Sequence, residues 1–224
     1  MLRWLGYLLG VALLGCLIAA GGAIWVFWEF GRDVPDYRQL ANYSPPVTTH
    51  VHAGDGSLLA EYAVERRMFV PVTAIPRQVV NAFLSAEDKN FYRHPGVDVV
   101  GVARAVVTNL SNYGKGRRPV GASTITQQVA QNFLLTKDVS ITRKIREAII
   151  SFRMERAFTK DEILELYLNQ IYLGLGSYGV AAAANNYFGK SLDELLVEEA
   201  AYLAALPKAP NNYNPSRHYD AAVS

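Results

Sequence analysis

Thr159-Lys160-Asp161-Glu162-Ile163-Leu164-Glu165-Leu166-Tyr167-Leu168-Asn169-Gln170-Ile171 reads as a helix with a marked start. Thr159 and Glu162 stand at the spacing of a capping box, in which each side chain accepts the other's backbone N–H. Behind that cap, Ile163, Leu164, Tyr167, Leu168 and Ile171 recur at helical spacing and predict one buried face. The pattern extends outward in both directions. Upstream, Ile141, Ile145, Ala148, Ile149 and Phe152 predict an apolar stripe on another helix, with Ile145 and Ile149 toward the core. Thr124 and Gln127 are spaced for a second capping box ahead of Val129 and Phe133. Pro76 suits a first helical position before Val79, Val80, Phe83, Leu84 and Glu87. Downstream, Ser191-Leu192-Asp193-Glu194 opens a helix expected to run through the alanines to Leu206 and stop at Pro207. The one strong strand signal is a hairpin, Val47 to His52 and Leu58 to Tyr62 around Ala53-Gly54-Asp55-Gly56-Ser57. The fold class expected is therefore mainly α.

Composition adds a membrane segment. Of 22 basic and 20 acidic residues, only Arg3 falls before Glu29, and Cys16, Trp4, Trp25 and Trp28 all lie in that stretch. Leu5 to Trp28 is uncharged, and at about 1.5 Å per helical residue it is long enough for a hydrocarbon core of about 30 Å. The run is longer than a secretory signal core and ends in an aromatic belt, Trp25-Val26-Phe27-Trp28, so a retained anchor is expected. Leu13-Leu14-Gly15-Cys16 has a faint likeness to a lipoprotein cleavage site, but the apolar run continues past the cysteine. Arg3 before the span, with Glu29 and Asp33 after it, predicts a cytoplasmic N-terminus and an extracytoplasmic domain. The expected organisation is an anchor at 1–28, a proline-bearing stalk and hairpin at 29–70, a helical domain at 71–215 and the start of a linker at 216–224. A net charge of +2 gives no support for a nucleic-acid partner.

Three constellations could carry chemistry. In Glu87-Asp88-Lys89-Asn90-Phe91-Tyr92-Arg93-His94-Pro95-Gly96-Val97-Asp98, two carboxylates sit at a helix end, where the helix dipole opposes their charge. That opposition, with apolar neighbours, would raise a carboxyl toward the range of a general base. Acidic pairs at helix ends are usually solvated, so the pattern alone does not assign catalysis. No second histidine stands at ligand spacing from His94, and no metal site is predicted. Gly121-Ala122-Ser123-Thr124-Ile125-Thr126-Gln127-Gln128 puts hydroxyls, amides and free N–H groups at a helix start, suited to sugar hydroxyls or a phosphate, or equally to a plain polar cap. Arg143-Lys144-Ile145-Arg146-Glu147 sets a carboxylate among three cations, which suits a pyrophosphate site or an ordinary surface ion-pair ladder.

Taken together, these stretches resemble the family 51 peptidoglycan glycosyltransferases, found in class A penicillin-binding proteins and monofunctional transglycosylases. The resemblance rests on five motifs in order behind an anchor: Glu87-Asp88-x-x-Phe91-x-x-His94-x-Gly96, Gly121-x-Ser123-Thr124-Ile125-Thr126-Gln127-Gln128, Arg143-Lys144-x-x-Glu147, Lys160-x-x-Ile163-Leu164-Glu165-x-Tyr167-Leu168-Asn169, and Leu206-Pro207-Lys208-Ala209-Pro210 with Asn211 and Asn214. It implies a lysozyme-like helical domain behind a single transmembrane helix and a short β-hairpin, with an amphipathic mouth. It implies polymerisation of lipid II into β-1,4-linked glycan strands, with release of undecaprenyl pyrophosphate, at the bacterial plasma membrane. Glu87 would be the general base and Glu147 the second essential carboxylate. Arg143 and Lys144 would neutralise the leaving pyrophosphate, and Asp88, His94, Ser123, Thr124, Gln127 and Gln128 would belong to the substrate-binding set. Lys160, Glu165 and Asn169 would be architectural, and Lys115 to Pro119 would form a flap. No cofactor is required, a divalent cation (Mg or Mn) being optional. The partners implied are lipid II, the growing glycan strand, the inner membrane and proteins of a cell-wall synthesis complex.

Two positions depart from the family pattern: Gln131 and Val139 stand where many members carry basic residues associated with the pyrophosphate. The expectation is a weakened but real polymerase. The chain carries neither Ser-x-x-Lys nor Lys-Thr-Gly and stops soon after Pro215, as expected of a truncated bifunctional enzyme. Two other readings share the residues: a lysozyme-like hydrolase or lytic transglycosylase using Glu87 as acid, and a membrane-tethered scaffold that kept the fold and lost turnover.

Overall fold

The computed structural model describes residues 2–32, 34, 49–55, 58–62, 66–117, 119–134 and 140–210. It begins with the apolar helix α1 (Leu2–Gly31). Among the described residues this is the one helix long and apolar enough to cross a membrane, over the span Leu13–Gly31. An antiparallel hairpin follows, β1 (Thr49–His52) with β2 (Leu58–Tyr62), the strands expected around the Asp-Gly turn. The rest is helical: α2 (Arg77–Glu87), α3 (Val99–Ser111), α4 (Ile125–Leu134), α5 (Ile141–Ala157), α6 (Lys160–Gln170), α7 (Val180–Phe188) and α8 (Val197–Ala205). A two-residue parallel pair, β3 (Arg66–Arg67) with β4 (Ser177–Tyr178), is a further element that no sequence pattern announced. The fold is mainly α, as expected.

α6 is the centre of the domain. The capping box at Thr159 and Glu162 is present, and Ile163, Leu164, Tyr167 and Leu168 are fully buried. Burying a side chain of this size stabilises the fold by about 1.5–3 kcal/mol. They pack with Val79 and Phe83 of α2, Val129 of α4 and Leu203 of α8 into one core. The polar face of α6 fastens the chain that precedes α2. Asn169 accepts from the Val70 N–H at 2.8 Å and donates to the Val70 carbonyl at 2.9 Å, while Glu165 accepts from the Val72 N–H at 2.8 Å. These bonds set where α2 enters the core.

Three expectations are corrected. Pro76 is the residue before α2 rather than its first member. The Ser191–Glu194 box closes only a single 3-10 turn, Leu192–Glu194, and α8 begins at Val197, because Leu195 returns to extended backbone to bury its side chain. The stripe on α5 is also turned: Ile141 is exposed, while Glu147, Ile150, Ser151 and Met154 join Ile149 in the interior. The cause is a second neighbour on the outer side of α5. Phe152 meets Phe27 of α1 with ring centroids 6.4 Å apart, and Arg153 donates to the Gly31 carbonyl at 2.9 Å. Part of the apolar stripe therefore packs on α1 rather than on the core. Helices α3 and α7 were not anticipated individually.

Candidate active site

α2 delivers Glu87 and Asp88 to a cleft. Phe83, one turn earlier, is buried edge-on against Tyr167 with centroids 6.3 Å apart, which fixes the roll of the helix. Glu87 is half-buried and accepts a hydrogen bond from Nε2 of Gln128 at 2.7 Å. Burial pushes its carboxyl above the ordinary value of 4.5; the Gln128 bond and the Lys208 charge pull it back, and the Asp88 charge adds to the rise. A carboxyl raised in this way is better matched to accepting a proton near neutral pH.

The residues behind Glu87 are tied to one another. Asp88 is buried, accepts from the Ile125 N–H at 3.1 Å and lies 3.0 Å from Nε2 of His94. The Gly96 N–H donates to Nδ1 of His94 at 3.2 Å, so Nε2 carries the proton and donates to Asp88. Thr124 donates to the Gly96 carbonyl at 2.5 Å. The expected box is closed: the Thr124 N–H donates to Gln127 at 3.0 Å, and the Gln127 N–H donates to the Thr124 hydroxyl at 3.2 Å. Asp88, His94, Thr124 and Gln127 were expected to contact substrate, and the structure places all four in the interior. The reason is the start of α4, whose unpaired N–H groups draw in Thr124, Gln127 and Asp88. These four form a wall that braces Glu87 and α4; Asp88 and Thr124 also line a cavity at Glu87, and Ser123 remains exposed.

The cationic motif meets this wall at Ser123. Lys144 donates to the Ser123 hydroxyl at 3.0 Å and to Glu147 at 2.6 Å, while Arg143 lies 3.2 Å from the other oxygen of Glu147. Glu147 is fully buried, and Lys144 is about half exposed. The carboxylate therefore sits beneath the cations and holds them at the cleft, an arrangement distinct from a surface ladder.

A second buried network was not recognised as such in the sequence. Glu155 accepts from Thr126 at 2.6 Å and from Lys160 at 2.7 Å, and Lys160 also donates to the His94 carbonyl at 2.8 Å. It links α4, α5, α6 and the His94 turn. Only Lys160 at the head of α6 hinted at it.

Two cavities adjoin the carboxyl–amide pair of Glu87 and Gln128, one at Glu87 and the other at Gln128. One, of about 180 Å3, is lined by Glu87 itself, the start of α3 and the segment from Val120 to Thr124. The other, of about 730 Å3, is lined by Gln128, Gln131, Asn132, Tyr172, Tyr178 and Arg67 among others. Its amides and aromatic rings suit a saccharide. Gln131 is thus at the cleft, whereas Val139 lies outside the described residues.

Residues 55–224 match the family model described as Transglycosylase. The chain is 56% identical over 207 residues to Penicillin-binding protein 1A of Rickettsia felis, covering 92% of this chain and 26% of that protein. It is 42% identical over 223 residues to Penicillin-binding protein 1A of Escherichia coli K12, covering 100% of this chain and 26% of that protein. Among solved structures it is similar to the crystal structure of Penicillin-Binding Protein 1A from Haemophilus influenzae, with 29% identity, a TM-score of 0.43, and coverage of 80% of this chain and 17% of that one. The chain spans about a quarter of the length of the curated relatives it matches. With the matched residues taking in the whole cleft from Glu87 to Glu147, this chain belongs to the transglycosylase family.

Proposed function

We propose that this chain is a peptidoglycan glycosyltransferase that polymerises lipid II and releases undecaprenyl pyrophosphate. The observation that carries the reading is the place of Glu87: a half-buried carboxyl, raised by burial, that lines one cavity and is held by Gln128, which lines another. In this reading Glu87 takes the proton from the acceptor GlcNAc 4-hydroxyl. The freed oxygen attacks the anomeric carbon of the donor MurNAc and inverts it to a β-1,4 bond. The C–O bond to the pyrophosphate breaks and its electron pair leaves with that group. Charge builds on the leaving oxygen, and Arg143 and Lys144, fixed by Glu147, are the cations placed to stabilise it. Ser123 and Gln128 face the cleft and would orient the substrate. No resident cofactor is needed; a divalent cation (Mg or Mn) would accompany the pyrophosphate of the substrate.

The membrane setting is consistent with a lipid-linked substrate. α1 would anchor the chain in a bacterial plasma membrane, with its N-terminus cytoplasmic and the helical domain outside, where proteins of a cell-wall synthesis complex could meet it. α3 carries an unusual surface for a soluble helix: Val99, Val107 and Leu110 are each about 70% exposed. It would form the amphipathic mouth. The test is incubation of the full chain in detergent or vesicles with lipid II and, separately, with finished glycan strands. Polymer from lipid II supports the reading. Shortened strands without polymer would replace it with a hydrolase.

A further inference from the structure

Tyr167 carries a hydroxyl that the core does not use. The residue sits in the buried face of α6, 1% exposed, and among the described residues its hydroxyl is the one buried hydroxyl that closes no hydrogen bond. Other hydroxyls in the domain are satisfied: Thr126 donates to Glu155 at 2.6 Å, Ser151 to the Glu147 carbonyl at 2.7 Å and Tyr187 to the Leu173 carbonyl at 2.8 Å. An unmade hydrogen bond in the interior costs stability, and phenylalanine would pack with the same ring and without that cost. The hydroxyl therefore calls for a use outside packing.

Its position supplies one. The Tyr167 ring stands edge-on to Phe83 with centroids 6.3 Å apart, and Phe83 is one turn before Glu87 on the same side of α2. Burial pushes the Tyr167 hydroxyl well above the ordinary tyrosine range, and the charges that add to the rise are those of Glu87 first and Asp88 second. The hydroxyl thus lies in the field of both carboxylates and keeps its proton, which makes it a donor rather than a base. Asp88 is already engaged by His94 and the Ile125 N–H. The Glu87 carboxyl, by contrast, closes one hydrogen bond among the described residues, from Gln128 of α4 to a single oxygen. The other charged groups near Glu87 are Lys208 beyond α8 and, around the small cavity, Lys89, Asp98 and Arg104.

We propose that Tyr167 is a positioning residue for Glu87: its hydroxyl donates, directly or over one bridging water, to the Glu87 oxygen that Gln128 does not hold. This rests on the glycosyltransferase reading, in which Glu87 is the base. Held by an amide from α4 and a phenol from α6, the carboxylate keeps its plane and its ionised form in a place where burial opposes the charge. When Glu87 takes the acceptor proton, Tyr167 keeps its own. The phenol orients the base and moves no proton.

Tyr167→Phe in the full chain in detergent is the test, because it keeps the ring and removes the hydroxyl alone. Losing a donor to the ionised form raises the pKa of the base, so the acid limb of kcat/KM for lipid II should move to higher pH by about one unit, the scale of one bond to a charged group. The loss should fall on kcat, with the KM for lipid II changed less than about twofold. A ring-fluorinated tyrosine at position 167, a stronger donor, should move the limb the other way. Tyr187→Phe, which loses a hydroxyl bonded to Leu173, should leave the limb in place. The same shift should be read without turnover by carbon NMR of the glutamate carboxyls, the Glu87 signal being identified by its loss in Glu87→Gln. A limb and a Glu87 titration unmoved in Tyr167→Phe, or a rate lowered equally at every pH, would overturn the assignment. So would a variant whose sole change is a higher melting temperature, the mark of an idle hydroxyl. Wild type that forms no polymer from lipid II, while its Glu87 titration still shifts with Tyr167→Phe, would instead sink the glycosyltransferase reading and leave the contact standing.

Discussion

Gly96→Ala should unsettle the cleft far more than its single added methyl suggests. Gly96 has φ +98°, and a Cβ there would meet the carbonyl carbon and oxygen of Ser151 at 2.9 Å and Cγ of Glu155 at 3.2 Å. The backbone conformation alone costs a residue with a side chain about 1–3 kcal/mol. The methyl is forced against α5 backbone that its own helix holds in place, and overpacking of that kind costs about 1–3 kcal/mol more. The combined cost is about 4 kcal/mol, which for a domain of this size lowers Tm by about 12 °C. Thermal melting followed by circular dichroism in one detergent reads this directly. Gly121→Ala is the matched control: nothing lies within 4 Å of its Cβ position and its φ is not positive, so a change under about 0.5 kcal/mol is expected. If Gly96→Ala melts within about 2 °C of wild type, or no lower than Gly121→Ala, the close approach of the His94 turn to α5 is not what holds the wall. The variant should also lose activity well below its melting point, because the Gly96 N–H and carbonyl hold His94 and Thr124 behind Glu87.

Two further outcomes follow from the cleft. Because burial raises the Glu87 carboxyl, a base that must be ionised fails as pH falls through that raised value, so the acid limb of kcat/KM should lie above 4.5. Gln128→Ala removes a donor that favours the ionised form, and in a pH–rate series it should move the limb to higher pH; an unmoved limb would mean that another group titrates there. Gln131→Lys places a cation on the larger cavity beside Gln128 and should raise the rate of lipid II polymerisation; no change would remove Gln131 from the donor site.

Much of the fold was legible because its helices carry their own punctuation. Thr159 with Glu162, and Thr124 with Gln127, are local devices that need no knowledge of the rest of the chain, and both boxes form. The box at Ser191 misled because the same local device can close a 3-10 turn when the next residues are drawn back into the core. The α5 stripe misled for a different reason. Periodicity reports that a face is apolar but not which neighbour covers it, and here α1 takes part of it. α3 was missed because its valines point outward, against the rule that apolar residues mark a buried face. At the site, residue types and order pointed to Glu87, Ser123, Gln128, Arg143, Lys144 and Glu147. Spacing could not tell a side chain free for substrate from one also engaged in the wall: Asp88, His94, Thr124 and Gln127 have the chemistry of substrate contacts, and in the structure they also bond the backbone and one another, Asp88 and Thr124 while lining the cavity at Glu87. That distinction is a matter of three-dimensional hydrogen-bond partners, as is the network of Thr126, Glu155 and Lys160.

The account turns on Glu87 as the group that takes the acceptor proton. The most direct measurement is the rate of glycan polymer formation from lipid II by wild type and by Glu87→Gln, with melting curves of both to confirm that each is folded. Glutamine keeps the shape and can still meet Gln128, but it cannot accept the proton, so the variant should remain folded and lose polymerisation by about 100-fold or more. A folded Glu87→Gln that polymerises lipid II at the wild-type rate would contradict the account.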